Sequence, residues 1–412
     1  MSGGYPEHGK KHNIIILKQI MRRTNIWQAF VLICLCAVTP VQAQQSGGFF
    51  GKVKGLFSSE IHIGTYTFKD GSVYTGEIKG RKPNGKGKTV FQNGDVYEGE
   101  YVKGKREGHG VYTFADGERY DGNWYQDQQH GKGIFYFMNN NRYDGTWYQD
   151  YQHGEGTMYY YNGDVYHGNW VNDKREGQGT YTWKNGSEYV GTWKGDKKEG
   201  QGVLTWNDSS KYDGEWKEDV REGQGTFEYA NGDKYVGQWS RDMQDGKGIY
   251  FFHTGDRYEG DYVQGERTGE GIYYYANGDK YVGHFENGLK EGQGTFTWAN
   301  GAVYEGEWKN NLREGQGTYK WSAGDSYAGE WKNDKFNGQG TLIMTDGSQY
   351  KGGFVDGLEE GNGVQTDKNG GRYEGSFKQG KKDGPFVETD KYGRIVRRGT
   401  YKMGRISSIE GQ

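Results

Sequence analysis

Apolar and polar residues alternate along most of this chain, and the alternation restarts every 23 residues. In the stretch from Tyr304 to Ser326 (YEGEWKNNLREGQGTYKWSAGDS), Tyr304, Gly306 and Trp308 alternate with Glu305 and Glu307. A period of two predicts a strand with two unlike faces. After a polar loop around Asn310 and Asn311, the alternation resumes through Gly315, Gly317, Tyr319 and Trp321. Ser322-Ala323-Gly324-Asp325 then predicts a turn, and sister units have Asn93-Gly94, Asp116-Gly117, Asn231-Gly232 and Asn277-Gly278 there. Asn-Gly and Asp-Gly accept positive φ at both central positions, which makes them the strongest short hairpin signal. Each unit is therefore two strands and two tight connections.

Tyr74 opens a register that runs without insertion or deletion to Tyr373, fourteen tyrosines in all, each followed two residues later by glycine. Self-similarity of this kind predicts a repeat array. The class is all-β: an antiparallel β-hairpin meander of about 28 strands, two per unit. Glycine weakens a strand interior, so the Gly306, Gly315 and Gly317 columns need their own reason. They share a face with Tyr and Trp, and a bare glycine leaves a slot into which a ring can pack. One face is expected to be aromatic rings over glycine floors, and glycine also permits strong twist or curvature. Departures gather at the ends, where Met344, Asp367 and Asp390 replace the second-strand aromatic, as capping repeats do.

The segments Tyr166 to Val190 (YHGNWVNDKREGQGTYTWKNGSEYV) and Tyr304 to Trp331 resemble the MORN repeat (membrane occupation and recognition nexus). The resemblance extends from Tyr74 to about Gly393. It implies a repeat protein built as an elongated, single-layer antiparallel sheet, twisted or curved, often dimeric, that scaffolds or attaches near membranes. MORN arrays also adjoin phosphoinositide kinase domains in some proteins; none is expected here.

Composition changes the picture in two ways. Hydrophobic content is 32% with 16% aromatic residues, 74 Gly and only 4 Pro, so rings take the place of Leu and Ile. The other change is at the N-terminus. Met21-Arg22-Arg23, the apolar run Ile26 to Val38 and the small residues around Ala43 predict a secretory signal peptide over residues 1–43, with Met21 as an alternative start. The run is short for a membrane-spanning helix. Cys34 and Cys36 both lie within it, so the exported chain has no cysteine, hence no disulfide or thiolate site. Residues 1–43 hold five Lys/Arg and one acid, so the 52 basic and 55 acidic residues become 47 and 54, net −7. Without a basic run, nucleic acid is excluded as an expected partner, and electrostatic attraction to anionic lipid is weak.

The expected organisation is a lead-in over 44–63, the array over 64–396, and a cap or tail over 397–412, with Arg394 to Lys402 as the closing strand. In the lead-in, Phe49, Phe50, Val53, Leu56 and Phe57 fall on one side at helical spacing. They predict a short helix that covers the first edge strand or lies in a membrane interface.

No catalytic group, metal site or cofactor is expected. Each Gly-x-Gly pair belongs to the repeat rather than to a strand–loop–helix phosphate cradle. His130 and His153 stand one unit apart, about 10 Å, too far for one ion. Catalysis needs a unique constellation, and every carboxylate sits at a repeated position. What breaks the repeat is more informative. In the units from Tyr120 and Tyr143 the polar face holds Tyr125, Ile134, Tyr136, Met138, Tyr148, Tyr159 and Tyr161, echoed weakly by Ile249, Phe251, Ile272 and Tyr274. Of these, Tyr125, Tyr136, Met138, Tyr148, Tyr159 and Tyr161 form a candidate contact patch. The expected function is a secreted, non-enzymatic scaffold that binds a protein partner of unknown identity and self-associates as a homo-oligomer. The alternative is a lipid- or carbohydrate-binding module at the cell envelope.

Overall fold

The computed structural model describes residues 60–410. They form one open antiparallel sheet of 31 strands, the first Ile61–Thr67 and the last Arg405–Ile409. Each strand pairs with the strands before and after it in sequence. A typical unit contributes the strands Val303–Lys309 and Leu312–Lys320. The count exceeds the expected 28 because strands are added at both ends. Ile61–Thr67 begins inside the stretch read as a lead-in, and Ile395–Lys402 is followed by one further strand. The closing strand is therefore Arg405–Ile409, not the segment ending at Lys402. Residues 1–43 and Phe49, Phe50, Val53, Leu56 and Phe57 lie outside the described residues.

The two connections of each unit exchange the roles that the sequence suggests. The polar pair Asn310-Asn311 is the primed two-residue turn, with φ of 49° and 73°, the geometry that matches strand twist. At the Asn-Gly end only the glycine is left-handed, as at Gly278 with φ 90°. There Gly278 N–H donates to the Tyr275 carbonyl and Tyr275 N–H to the Asp279 carbonyl. That is a type I turn closed by a left-handed glycine. The Asn277 side chain holds this turn by accepting from Asp279 N–H at 3.0 Å, an Asx turn.

Gly315 also departs from expectation. Gly306 pairs with Gly317 and Trp308 with Arg313, so Glu314, Gly315 and Gln316 together oppose the single residue Glu307. Gly315 is the left-handed residue of this bulge, φ 65°, and is no part of the glycine floor. Bulges sharpen twist and re-aim side chains. The column is invariantly glycine because the backbone there is left-handed.

The floor is the Gly306–Gly317 pair. A Cβ on Gly317 would meet the Tyr304 ring at 2.4–2.7 Å, and one on Gly306 would meet Gly317 Cα at 2.5 Å. Tyr304 lies flat over this gap and is 0% exposed, as is its column from Tyr74 to Tyr327. Its hydroxyl donates to the Glu307 carbonyl at 2.9 Å. Trp308 meets Tyr304 edge-on at 5.2 Å, and Trp331 of the next unit does so at 5.1 Å. Trp331 Nε1 donates to the Gly317 carbonyl at 3.0 Å. Edge-to-face pairs add about 0.5–1.5 kcal/mol each beyond their burial. The core is thus a continuous Tyr–Trp zipper, closed within a single layer.

Both rims lace unit to unit. At the glycine-turn rim, Asp164 accepts from Tyr181 Oη at 2.8 Å and from Lys184 N–H at 2.9 Å, both in the following unit. Asp233 does the same with Tyr250 and His253. At the primed-turn rim, Asp334 accepts from Arg313 N–H and Arg313 Nε, each at 2.9 Å, while Glu314 accepts from Asn333 N–H at 2.9 Å.

Two outcomes follow. Gly225→Ala drives a methyl group against the Tyr212 ring, which its Cβ would approach to 2.4–2.6 Å; overpacking of this kind costs about 1–3 kcal/mol. Guanidinium unfolding monitored by circular dichroism should show the loss, and an unchanged midpoint would contradict the floor. The second concerns pH. Burial pushes the hydroxyls of Tyr74, Tyr101 and Tyr373 up to about 12 from 10.0, and Tyr166, Tyr212 and Tyr304 move the same way. A raised folded-state pKa in an acid stabilises the fold fully below pH 10 and loses that contribution as pH rises through 12. The part of the tyrosinate absorbance that comes from the buried column should therefore appear together with loss of the sheet signal in that window.

Candidate contact surface

The zipper face is not open. Three residues after each Asn310-type position, a cation closes over the tryptophan of the next unit: Arg175 lies 4.1 Å from the Trp193 ring, Lys198 4.1 Å from Trp216 and Arg313 4.4 Å from Trp331. Arg175 is fixed by Asp196, to whose carboxylate its Nε donates at 3.2 Å. Cation–π contacts at desolvated sites reach about 2 kcal/mol. Burial against the ring pulls the Lys198 ammonium below the usual lysine range. Sequence reading missed this stripe, although a column of Arg and Lys at positions 106, 175, 198, 221, 267, 290 and 313 was there to see. Beyond it, Trp183, Trp206, Trp298 and Trp321 form a half-buried outer row.

The polar face holds the six candidate residues, and the structure separates them into two groups at opposite ends of the strands. Tyr125 and Tyr148 sit beside the primed turns, 50% and 48% exposed. His130 lies between them with its ring tilted to both, 5.6 Å from Tyr125 and 5.3 Å from Tyr148, and His153 extends the row at 5.6 Å from Tyr148. These histidines replace the carboxylate that elsewhere caps the next unit's turn. In the same two units Gln129 and Gln152, both buried, replace the tryptophan-covering cation.

Tyr136 and Tyr159 lie at the other end of nine-residue strands, Gln128–Tyr136 and Tyr151–Tyr159, roughly 25 Å away at about 3.3 Å per residue. There Tyr136 pairs with Arg119 and Arg142, and Arg142 with Tyr159. Arg119 is 5.3 Å from the Tyr136 ring and Arg142 4.2 Å from the Tyr159 ring. Met138 and Tyr161, 57% and 67% exposed, occupy the adjacent turns. The residues expected to form one patch are thus a Tyr–His row and an Arg–Tyr ladder. Neither grouping was legible, because side chains five to eighteen residues apart meet only through the strand register.

Among the described residues no group of three or more His, Cys, Asp or Glu is placed to hold a metal ion, and no helix is long and apolar enough to cross a membrane.

A single-sheet repeat protein whose unit is a Tyr/Gly/Trp hairpin is the class that this geometry defines. The chain belongs to the MORN repeat family: fourteen consecutive segments match it, from residues 74–96 to 373–385. No curated protein matches the chain. Among solved structures it is similar to the TCP domain of SAS-4 (dCPAP) of Drosophila melanogaster in complex with a proline-rich motif of Ana2, at 16% identity and TM-score 0.25, over 38% of this chain and 85% of that one. The wild-type TCP10 domain of Danio rerio CPAP gives 9% identity and TM-score 0.16, over 65% and 99%. A streptogramin B lyase gives 12% and 0.13, over 73% and 92%. Similarity this low carries no functional argument.

His153→Glu should restore the missing cap on the primed turn at Asn172. A new hydrogen bond to a charged acceptor contributes about 1.5–3 kcal/mol at most, with exposure reducing it. Hydrogen exchange at Asn172 should slow in the variant; unchanged exchange would show that the carboxylate column does not stabilise the turns.

Proposed function

We propose that this MORN-repeat chain is a non-enzymatic scaffold, exported by its N-terminal signal, that binds protein through its polar face and self-associates through its zipper face. The observation that carries protein binding is exposed Tyr beside half-buried Arg on a face that is otherwise mostly Glu, Lys, Thr and Gln, with Tyr125, Tyr148 and Tyr161 each about half exposed or more. Tyrosine and arginine are the residues that dominate protein contacts. Self-association has a different basis. The inner Tyr and Trp columns are already buried within one copy, so they need no partner. The half-buried outer row of Trp183, Trp206, Trp298 and Trp321 is what a second copy would cover.

Sedimentation velocity of the exported chain at micromolar concentration should give a dimer, and replacing Trp206 and Trp298 by Ser should shift it to monomer. Monomer alone in the unaltered chain would overturn self-association. For the partner, hydrogen exchange of the chain with and without a pulled-down protein should protect the polar-face tyrosines; binding to liposomes or glycans without any protein ligand would overturn protein scaffolding.

A further inference from the structure

The departures from the 23-residue baseline themselves repeat. Five units after Lys132, Ile134, Tyr136, Arg142, Glu155 and Tyr159 stand Lys247, Ile249, Phe251, Arg257, Glu270 and Tyr274. The corresponding columns elsewhere hold residues such as Thr182, Thr205, Thr297 and Lys320 in place of the outer rings. The geometry repeats too. Phe251, Arg257 and Tyr274 are direct partners across three adjacent strands, as Tyr136, Arg142 and Tyr159 are. The arginine lies 4.2 Å from the tyrosine ring in both copies. Ten strands separate Gln128–Tyr136 from Met243–Phe251, about 48 Å along the sheet at ~4.8 Å per strand.

We propose that these are two related docking patches for protein segments that present a carboxylate beside an apolar side chain, so that one chain holds two copies of its partner. This rests on the protein-binding scaffold above and specifies the chemistry and number of what binds. The carboxylate is indicated by Arg142. Its Nε is buried without a hydrogen-bond partner, whereas Arg119 on the neighbouring strand is paired with Asp121. A guanidinium held by a ring on one side is pre-organised for a bidentate carboxylate. Asp121 and Asp144 close the site toward the strand centres, so the incoming group approaches from the turn side. There Met138 and Tyr161, 57% and 67% exposed, supply apolar surface beside it. A sugar ring would need a bare aromatic face, and Arg142 and Arg257 already cover those of Tyr159 and Tyr274. The patches differ in their flanks, where His253 and Ala276 stand for Met138 and Tyr161, and Val236 and Glu259 for Asp121 and Asp144. Arg257 is paired with Glu259 at 3.1 Å, so a ligand there must displace an internal carboxylate, and the patch at Arg142 binds more tightly.

The test uses a phage-displayed library of random dodecapeptides selected on the full chain. Enriched sequences should carry Asp or Glu next to an aliphatic or aromatic residue. A synthetic peptide of the enriched sequence should titrate at two per chain, with affinities that differ. Arg142→Gln should remove the tighter site, leaving one per chain, and Arg142→Gln with Arg257→Gln should weaken binding at least tenfold overall. Lys309→Gln should change neither. Tyr159→Thr, which installs the residue found in that column at Thr182 and Thr205, gives a second variant compatible with the fold and should also remove the tighter site. Peptides without acidic bias, a single site, or binding indifferent to Arg142 and Tyr159 would overturn this inference and leave the scaffold standing. No enriched peptide at all, with retention on a glycan array or vesicles, would overturn both.

Discussion

One contact organises this molecule: a tyrosine ring lying flat on two glycines that face each other across adjacent strands. A Cβ at either glycine would collide with ring or backbone, so tyrosine and both glycines recur together in every unit but the last, where Phe386 faces Gly375 and stacks on Tyr373. The ring fills the layer in which a second sheet would otherwise pack, and the tryptophans of its own and the next unit close it from both sides. A sheet one layer thick thereby gains a buried core. The bulge at Gly315 belongs to the same constraint. It lets the second strand regain register after Trp308 has been packed against Arg313, and it requires a left-handed backbone at that point.

This arrangement divides the labour between the two faces. The zipper face is occupied: ring on glycine, tryptophan against ring, cation over tryptophan. Its Tyr, Gly and Trp columns change little, as Tyr262 and Phe285 for tryptophan, with the larger departures at the ends, Ile78 in the first unit and Phe386 in the last. The rims are occupied as well, by aspartates that tie each turn to the next and glutamates that cap the primed turns. What is left unconstrained is the polar face. Variation there costs the fold little, so departures on that face are where selection for binding can be written.

The repeat, the hairpin and the ring-over-glycine face were legible in the sequence because each follows from residue type at fixed spacing. Three things were not. Asn277-Gly278 looks like a primed turn, but the Asx hydrogen bond to Asp279 and the type I geometry win. The primed turn falls instead on pairs such as Glu218-Asp219, which carry no conformational signature. Gly315 looks like a member of the floor because alternation counts residues and does not register a bulge. The candidate patch dissolved into two groups for the same reason. Tyr125 and Tyr136 are eleven residues apart in sequence but meet different partners, His130 at one end and Arg119 at the other.

A fold of this kind is close to one-dimensional, with stability set by each unit and its contacts with the two beside it. Nothing in those nearest-neighbour terms favours a resemblance between units five apart. The tyrosine column and the glycine two residues after it recur in every unit because every unit needs them. Among the described residues the ring–Arg–ring triplet occurs only around Arg142 and Arg257, in columns that hold residues such as Thr182 and Val165 in other units. No contact within the sheet requires the second copy, and an external ligand that reads both patches, as proposed above, accounts for the image of Arg142 and Tyr159 in Arg257 and Tyr274. That is the sense in which a repeat protein displays its function: the period identifies what the fold demands, and a longer period laid over it identifies what the surface is for.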